Sequence, residues 1–337
     1  MILVNNNGDW LHTWPILDHA SWDGLTLADL VFPSFLLIAG VSIPLALAGQ
    51  LAKGKTKGQL LQKGAIRALK IFGIGLALNL TWNADWETFR LLGVLQRIGI
   101  CYLVGVAFYL YLPKWAWWVY IVFSGLLSYF LLSVMDATGT GALYAAADGL
   151  VLGAHTYQTS TPLDPEGLLS TLTAIGTILL GMSVGQIRLT MPGSFAKRVA
   201  WFGFAIVALG MVVHLKFVPI NKTLWTPSFV LVTGGLTVLL LALLSWYEAV
   251  RGKQLLPKVF VAAGANPLAI YVLAELGAHL WRYRFMPDRN IKSTLIEAFG
   301  RVSPYLYFNS LVYSLCIVSV FLGIGWLLYK KGIVIKV

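Results

Sequence analysis

The sequence predicts an all-α, polytopic transmembrane helix bundle. Three observations carry this prediction. Apolar stretches close to the ~20 residues that a bilayer core requires recur along the whole chain. Only 12% of the 337 residues are charged and 58% are hydrophobic, whereas a soluble domain carries roughly 25% charged residues. Basic residues collect in alternate loops, the bias that orients multi-span proteins.

The stretches lie at about 27–50, 65–82, 91–112, 116–135, 168–186, 199–217, 227–248, 260–280 and 309–330, about nine spans. Each must be helical, because lipid offers a backbone no hydrogen-bond partner. The first opens near Asp29 and carries Pro33 and Gly40; the third holds Gln96 and Arg97. The fifth follows Asp164-Pro165-Glu166-Gly167, an acidic turn suited to the positive end of a helix dipole. The eighth contains Asn266-Pro267. Proline breaks the hydrogen-bond ladder there, and the asparagine is expected to bridge the freed groups. Ile291, Leu295 and Phe299 recur at helical spacing and predict a short interfacial helix. The longest polar connections are about 136–167 and 281–308. No soluble domain is visible, so 1–337 reads as a single transmembrane domain. Met1-Ile2-Leu3-Val4 reads as the last turn of an apolar helix, and a first transmembrane helix missing from this sequence is expected before it.

Thirteen Trp and fourteen Tyr suit two interfacial belts. Cys101 and Cys316 both fall in apolar stretches, so they read as core residues, and neither a disulfide framework nor a metal motif is expected. The net charge of +11 does not imply nucleic acid, because its distribution follows the membrane. One side carries Lys53, Lys55, Lys57, Lys63, Arg67, Lys70, Lys114, Arg188, Lys197, Arg198, Arg251, Lys253, Lys258, Lys330, Lys331 and Lys336 against the single acid Glu248. The other carries Asp9, Asp18, Asp23, Asp29, Asp85, Glu87, Asp136, Asp148, Asp164 and Glu166. The basic side is expected to be cytoplasmic, with the His19 segment outside. Arg282, Arg284, Arg289, Lys292 and Arg301 run against that bias.

Several residues carry chemistry in this pattern, and each has a structural alternative. His19 and Asp29 flank the mouth of the first span, with Asn5, Asn6 and Asn7 before them. An imidazole and a carboxylate can move protons near neutral pH, and the same residue types also cap helices and satisfy loop backbone. Arg97, with Gln96, needs a partner or a wet cavity inside its apolar stretch. It reads as an ion pair with Asp29 or Glu275, or as a cavity wall. Asp164 and Glu166 read as a helix start, or as contacts to a cationic or hydroxyl-rich acceptor. Glu275 should face the bundle interior, in a structural or a cavity-lining role. Lys63, Arg67 and Lys70 belong to a basic run that orientation and anionic lipid explain; it could also receive a phosphorylated donor. His155 is a candidate acceptor contact, and His12, His214 and His279 have no partner that the sequence identifies. Asn221-Lys222-Thr223 matches a glycosylation sequon, a weak pattern.

Five stretches together resemble one family: His19 to Pro33, Gly93-Val94-Leu95-Gln96-Arg97-Ile98-Gly99, Asp164-Pro165-Glu166-Gly167, Pro219-Ile220-Asn221-Lys222-Thr223-Leu224-Trp225, and Asn266 through Glu275. The chain resembles the heparan-α-glucosaminide N-acetyltransferase family, including shorter bacterial members without a luminal domain. The resemblance implies a transmembrane acetyltransferase that uses cytoplasmic acetyl-CoA, without a metal, and acetylates the amine of a glucosamine-type sugar on the far side. By residue matching it implies catalytic roles for His19, Asp29 and Asn5 and identifies Arg97 with the family's buried arginine. Gln96, Arg97, Asp164, Glu166, Asn266 and Glu275 are then candidate substrate contacts, and Lys63, Arg67 and Lys70 candidate contacts to the donor. An acetyl-histidine intermediate and direct transfer both stay open. The expected setting is a bacterial cytoplasmic membrane, with lipid and an amino sugar as partners and no nucleic acid; a homodimer is compatible with the resemblance. The rival reading is a sugar or lipid transporter or flippase. A structural membrane subunit would leave the His19, Asp29, Gln96 and Arg97 groups without a purpose.

Overall fold

The structure is a computed structural model that describes residues 1–136, 140–157, 163–252, 256, 258–282, 284–286 and 289–335, with only the backbone described at 282, 284–286 and 289. Lys253 and Lys336, counted in the charge bias, lie outside the described residues, as do the side chains of Arg282, Arg284 and Arg289.

The helices run in chain order as α1 (Ile2–Asn5), α2 (Leu27–Ala52), α3 (Lys57–Trp82), α4 (Val94–Tyr111), α5 (Lys114–Phe130, continued by a π turn), α6 (Ala142–Leu152), α7 (Leu168–Thr190), α8 (Phe195–Lys216), α9 (Pro227–Arg251), α10 (Lys258–Ala265), α11 (Pro267–Arg282), α12 (Ile291–Val302) and α13 (Leu306–Lys330). A small antiparallel ribbon, β1 (Arg284–Met286) with β2 (Arg289–Asn290), joins α11 to α12. Among the described residues eight helices are long and apolar enough to cross a bilayer; α10 with α11, bent by 86°, makes nine if counted as one span. The chain is an integral membrane protein of the all-α, polytopic class.

Two boundaries differ from the expectation, each for a local reason. α3 starts at Lys57 rather than near 65, because Thr56 and Gln59 form a reciprocal capping box: Gln59 N donates to Thr56 Oγ1 (3.2 Å), and Thr56 N donates to Gln59 Oε1 (3.1 Å). The cap satisfies two orphan donors, so the basic run is helical. α6 forms inside the connection expected to be polar. At 11 residues it is too short to span. The short helix expected from Ile291, Leu295 and Phe299 is α12.

The chain divides into two compact units. In the larger, Ala20–Leu25 with Asp29–Lys253, α7 is the core helix and every residue from Thr173 to Gly185 is buried. A helix buried on all sides needs no polar face. It packs against α2 with backbone nearly touching backbone: a Cβ on Gly181 would lie 2.0 Å from Leu37 O, and one on Gly40 would lie 2.1 Å from Ile178 O. Small residues at crossings are how membrane helices gain contact without a hydrophobic driving force between them. Trp115, Val119, Val122, Phe123 and Leu126 are exposed on α5; bilayer lipid is the solvent for such a face.

The smaller unit comprises Met1–His19, Thr26–Ala28 and Gln254–Val337. Its core is Ile270, Ala274, Tyr313, Ile317 and Phe321. Asp9 N donates to Ser310 Oγ (2.9 Å), and Ser314 Oγ donates to Asn6 O (3.1 Å), so the segment after Asn5 is tied to α13. At the α10–α11 bend the proline breaks the helix as expected. The Asn266 side chain does not bridge the break. Its Nδ2 donates to Ile333 O (3.0 Å), and its Oδ1 accepts from Ile335 N (2.7 Å), so both ends of the amide are committed to the C-terminal tail.

Candidate functional site

In the larger unit the centre is Asp29, in the first turn of α2 and fully buried. Its Oδ2 accepts the backbone N–H of Ala20 (3.1 Å), the peptide that leaves His19, and its Oδ1 lies 3.4 Å from Lys222 Nζ. A buried carboxylate keeps its charge only with a counter-charge and hydrogen bonds; this one has both. Burial pushes the Lys222 ammonium below its ordinary range, and the nearby carboxylates of Asp29 and Glu166 oppose that shift.

Lys222 is carried by a turn with its own scaffold. Asn221 Nδ2 donates to Asp23 Oδ1 (3.1 Å), Leu224 N donates to Asn221 Oδ1 (3.0 Å), and Gly24 N donates to Ile220 O (2.8 Å). Thr226 caps α9 by accepting from Phe229 N. Trp225 closes the turn at φ +49°, a strained conformation for a bulky residue. Packing holds it there: its ring centroid lies 5.1 Å from Phe32 and 5.0 Å from Phe229, and its Nε1–H donates to Thr177 Oγ1 (3.1 Å).

A second charged cluster lies in the same unit. Arg90 grips Asp164 with two bonds, Nε to Oδ2 (2.9 Å) and Nη2 to Oδ1 (2.5 Å), and Nη2 also reaches Glu166. The two carboxylates raise the Arg90 pKa against the opposing effect of its burial. Asp148 accepts from Asp164 N (3.1 Å) and Leu168 N (2.9 Å). Burial raises the Asp148 pKa, and these two donors oppose the rise. A Cβ on Gly167 would lie 2.1 Å from Asp148 Oδ2, so the start of α7 must be a glycine. The acidic turn is therefore a helix start, and its carboxylates are already held by an arginine. Sequence reasoning missed Arg90 and the role of Asp148. The available signal was an arginine in the acidic connection that carries Asp85 and Glu87.

Arg97 does not have the carboxylate partner that the sequence suggested. It is buried, donates Nη2 to Gly167 O (3.3 Å) and Ser170 Oγ (2.5 Å), and lies over the Trp225 ring at 4.9 Å. No carboxylate among the described residues is within ion-pair distance of it. Its Nε and Nη1, and the Nε2 of the buried Gln96, have no hydrogen-bond partner. A guanidinium stacks well on an aromatic face and is weakly hydrated. Three donor nitrogens remain unused.

In the smaller unit Asn5 Nδ2 donates to Glu275 Oε1 (3.2 Å). His19 is exposed, and its backbone N–H donates to Asp18 Oδ1 (2.8 Å). The other histidines are mostly structural. His12 Nδ1 pairs with Asp9 Oδ2 (2.6 Å), His155 Nδ1 bonds Phe89 O (2.9 Å), and His214 Nδ1 accepts from Ile220 N (3.1 Å). His155 thus ties two loops together through one ring nitrogen. On α3, Lys63, Arg67 and Lys70 are exposed at helical spacing, with Arg67 over the Tyr102 ring at 5.1 Å.

A family model described as heparan-alpha-glucosaminide N-acetyltransferase, catalytic, matches residues 10–210. The chain belongs to the heparan-alpha-glucosaminide N-acetyltransferase family. The human heparan-alpha-glucosaminide N-acetyltransferase is 31% identical over 340 residues, covering 82% of this chain and 50% of that protein. The mouse protein of the same name is 28% identical over 363 residues, covering 88% of this chain and 55% of its own. The chain thus spans about half the length of the curated relatives it matches. The family match includes His19, Asp29, Lys63, Arg67, Lys70, Gln96, Arg97, Asp164 and Glu166; Asn5, Lys222, Asn266 and Glu275 lie outside it. Within one unit the fold brings Asp29 to Lys222, and Arg90 to Asp164 and Glu166. Within the other it brings Asn5 to Glu275.

Proposed function

We propose that this chain passes the acetyl group of cytoplasmic acetyl-CoA to the amine of a glucosamine-type sugar on the extracytoplasmic face of a bacterial cytoplasmic membrane. The observation that carries the reading is the match to a catalytic family model across residues 10–210, a span that includes His19 and the buried, ion-paired Asp29. The pantetheine arm is long, so the adenine nucleotide can stay on the basic cytoplasmic side, where Lys63, Arg67 and Lys70 receive its phosphates.

In the proposed step the sugar amine attacks the thioester carbonyl carbon. The C–N bond forms and the C–S bond breaks. His19 takes the proton that the amine loses and hands it to the departing sulfur, so the products are an N-acetyl sugar and the free thiol. Asp29 orients the imidazole and stabilises its cation. Asn5 donates the second hydrogen of its Nδ2 to the developing oxyanion, a contribution of about 3 kcal/mol. Glu275 fixes that amide by accepting the first. Gln96 and Arg97 offer their unused donors to ligand oxygens. Asp164 and Glu166, held by Arg90, and Asn266, held by the tail, support the site rather than touch the ligand.

The test is the purified protein in proteoliposomes with labelled acetyl-CoA inside and glucosamine outside. Labelled N-acetylglucosamine is expected, with a loss of about 10²–10⁴-fold in His19→Ala and no acetylated protein accumulating without sugar. Uptake of unmodified sugar with no acetylation, or full transfer by His19→Ala, defeats the reading and favours a transporter.

A further inference from the structure

We infer that Lys222 is a positioning residue of the acetyl-transfer site, acting through Asp29; the inference rests on the catalytic reading of His19 and Asp29 given above. Asp29 is buried completely, and a carboxylate in that setting is neutral unless something holds its charge. Lys222 Nζ, 3.4 Å from Oδ1, supplies a cation, and Ala20 N–H, 3.1 Å from Oδ2, supplies a hydrogen bond. The ammonium and the Ala20 peptide engage different oxygens, which fixes the rotation of the carboxylate as well as its charge.

The turn from Pro219 to Thr226 does not need a lysine to fold. Asn221 and Thr226 make its internal bonds, and Asn221 clamps it to Asp23. The strained Trp225, three residues further along the turn, costs on the order of 1–3 kcal/mol and is held by two aromatic rings and a hydrogen bond. That scaffold delivers the lysine to Asp29, where a half-buried ammonium loses hydration and gains the carboxylate. Without the lysine the carboxylate loses its counter-charge and the contact that sets its rotation, and no longer serves the imidazole. Lys222 contacts the carboxylate rather than the sugar, so its removal should slow turnover and leave substrate affinity largely intact.

The experiment measures kcat and KM for glucosamine in proteoliposomes for wild type, Lys222→Met, Lys222→Arg, Asp29→Asn and the Lys222→Met/Asp29→Asn pair, each checked for monodispersity in detergent. Lys222→Met is expected to lose about ten- to a hundredfold in kcat, with KM changed less than about threefold. Lys222→Arg keeps the charge and should recover most of the rate. In the double variant no unpaired charge is buried, so it should fold even if Lys222→Met does not, and its kcat should equal that of Asp29→Asn alone. The inference is overturned if Lys222→Met turns over within about twofold of wild type, if only KM moves, or if the double variant is slower than Asp29→Asn by the full single-variant factor. If Asp29→Asn and His19→Ala are fully active, it is the catalytic reading that has failed. If those two are inactive and Lys222→Met is not, the inference alone has failed.

Discussion

Replacing Arg90 with methionine removes the guanidinium that holds two acids and keeps most of the side-chain volume. Asp164 has a fully buried side chain, Glu166 is 10% exposed and Arg90 20% exposed. Two bonds to Asp164 and one to Glu166 are lost, along with the stacking of Arg90 over Tyr157 at 4.8 Å. Removing one partner of a buried ion pair costs about 3–5 kcal/mol, because the other charge is left uncompensated. The partial solvent access of Arg90 places this case near 3 kcal/mol. For a chain of 337 residues that corresponds to a fall of roughly 4 °C in melting temperature. The assay is thermal unfolding in detergent, read by loss of the monodisperse peak. The double variant Arg90→Met/Asp164→Asn removes the more deeply buried of the two stranded charges and keeps an oxygen for Glu166 N, which donates to Asp164 Oδ1 at 2.8 Å; it should melt above Arg90→Met. An Arg90→Met melting point within about 1 °C of wild type, or a double variant less stable than the single, refutes the reasoning.

Other outcomes follow from the same contacts. Gly181→Ala drives a methyl into Leu37 O and should cost at least the 1–3 kcal/mol typical of overpacking, whereas Gly49→Ala on α2, with nothing within 4 Å, should be neutral or stabilise by up to about 1 kcal/mol; parallel melting curves decide. Thr56→Ala breaks the capping box of α3 and should cost about 1 kcal/mol, with amide exchange rising only in the first turn. Asp148 holds its proton to a higher pH in the native state than in the unfolded chain. Between the ordinary aspartate value and that raised one the native state binds more protons, so stability falls as pH rises through the window. Asp148→Asn should lack that decline, and the melting temperature of the variant relative to wild type should climb from about pH 4 upward; a flat difference would show that Asp148 does not titrate in this way.

The spans, their number and the break at Pro267 are legible from composition and one proline, because lipid leaves the backbone a single solution and apolar length is a local property. The start of α3 was harder to place. The lysines made 57–64 look like loop, and only the pairing of Thr56 with Gln59 turns those residues into helix. For the charged groups, sequence picked out the residues but not their partners. Arg97 pointed to a carboxylate and found Ser170, the Gly167 carbonyl and the Trp225 ring. Asp164 and Glu166 found Arg90, and the Asn266 amide found a tail 67 residues away. Lys222 looked like part of a sequon and lies against a carboxylate 193 positions earlier in the chain. Sequence alone determined that the chain is a membrane bundle, where its long apolar spans lie and which residues carry charge into them. The tertiary structure decided which charges neutralise one another, because desolvation makes every buried ion depend on whatever donor or counter-charge lies within a few ångströms, and helix packing determines those neighbours.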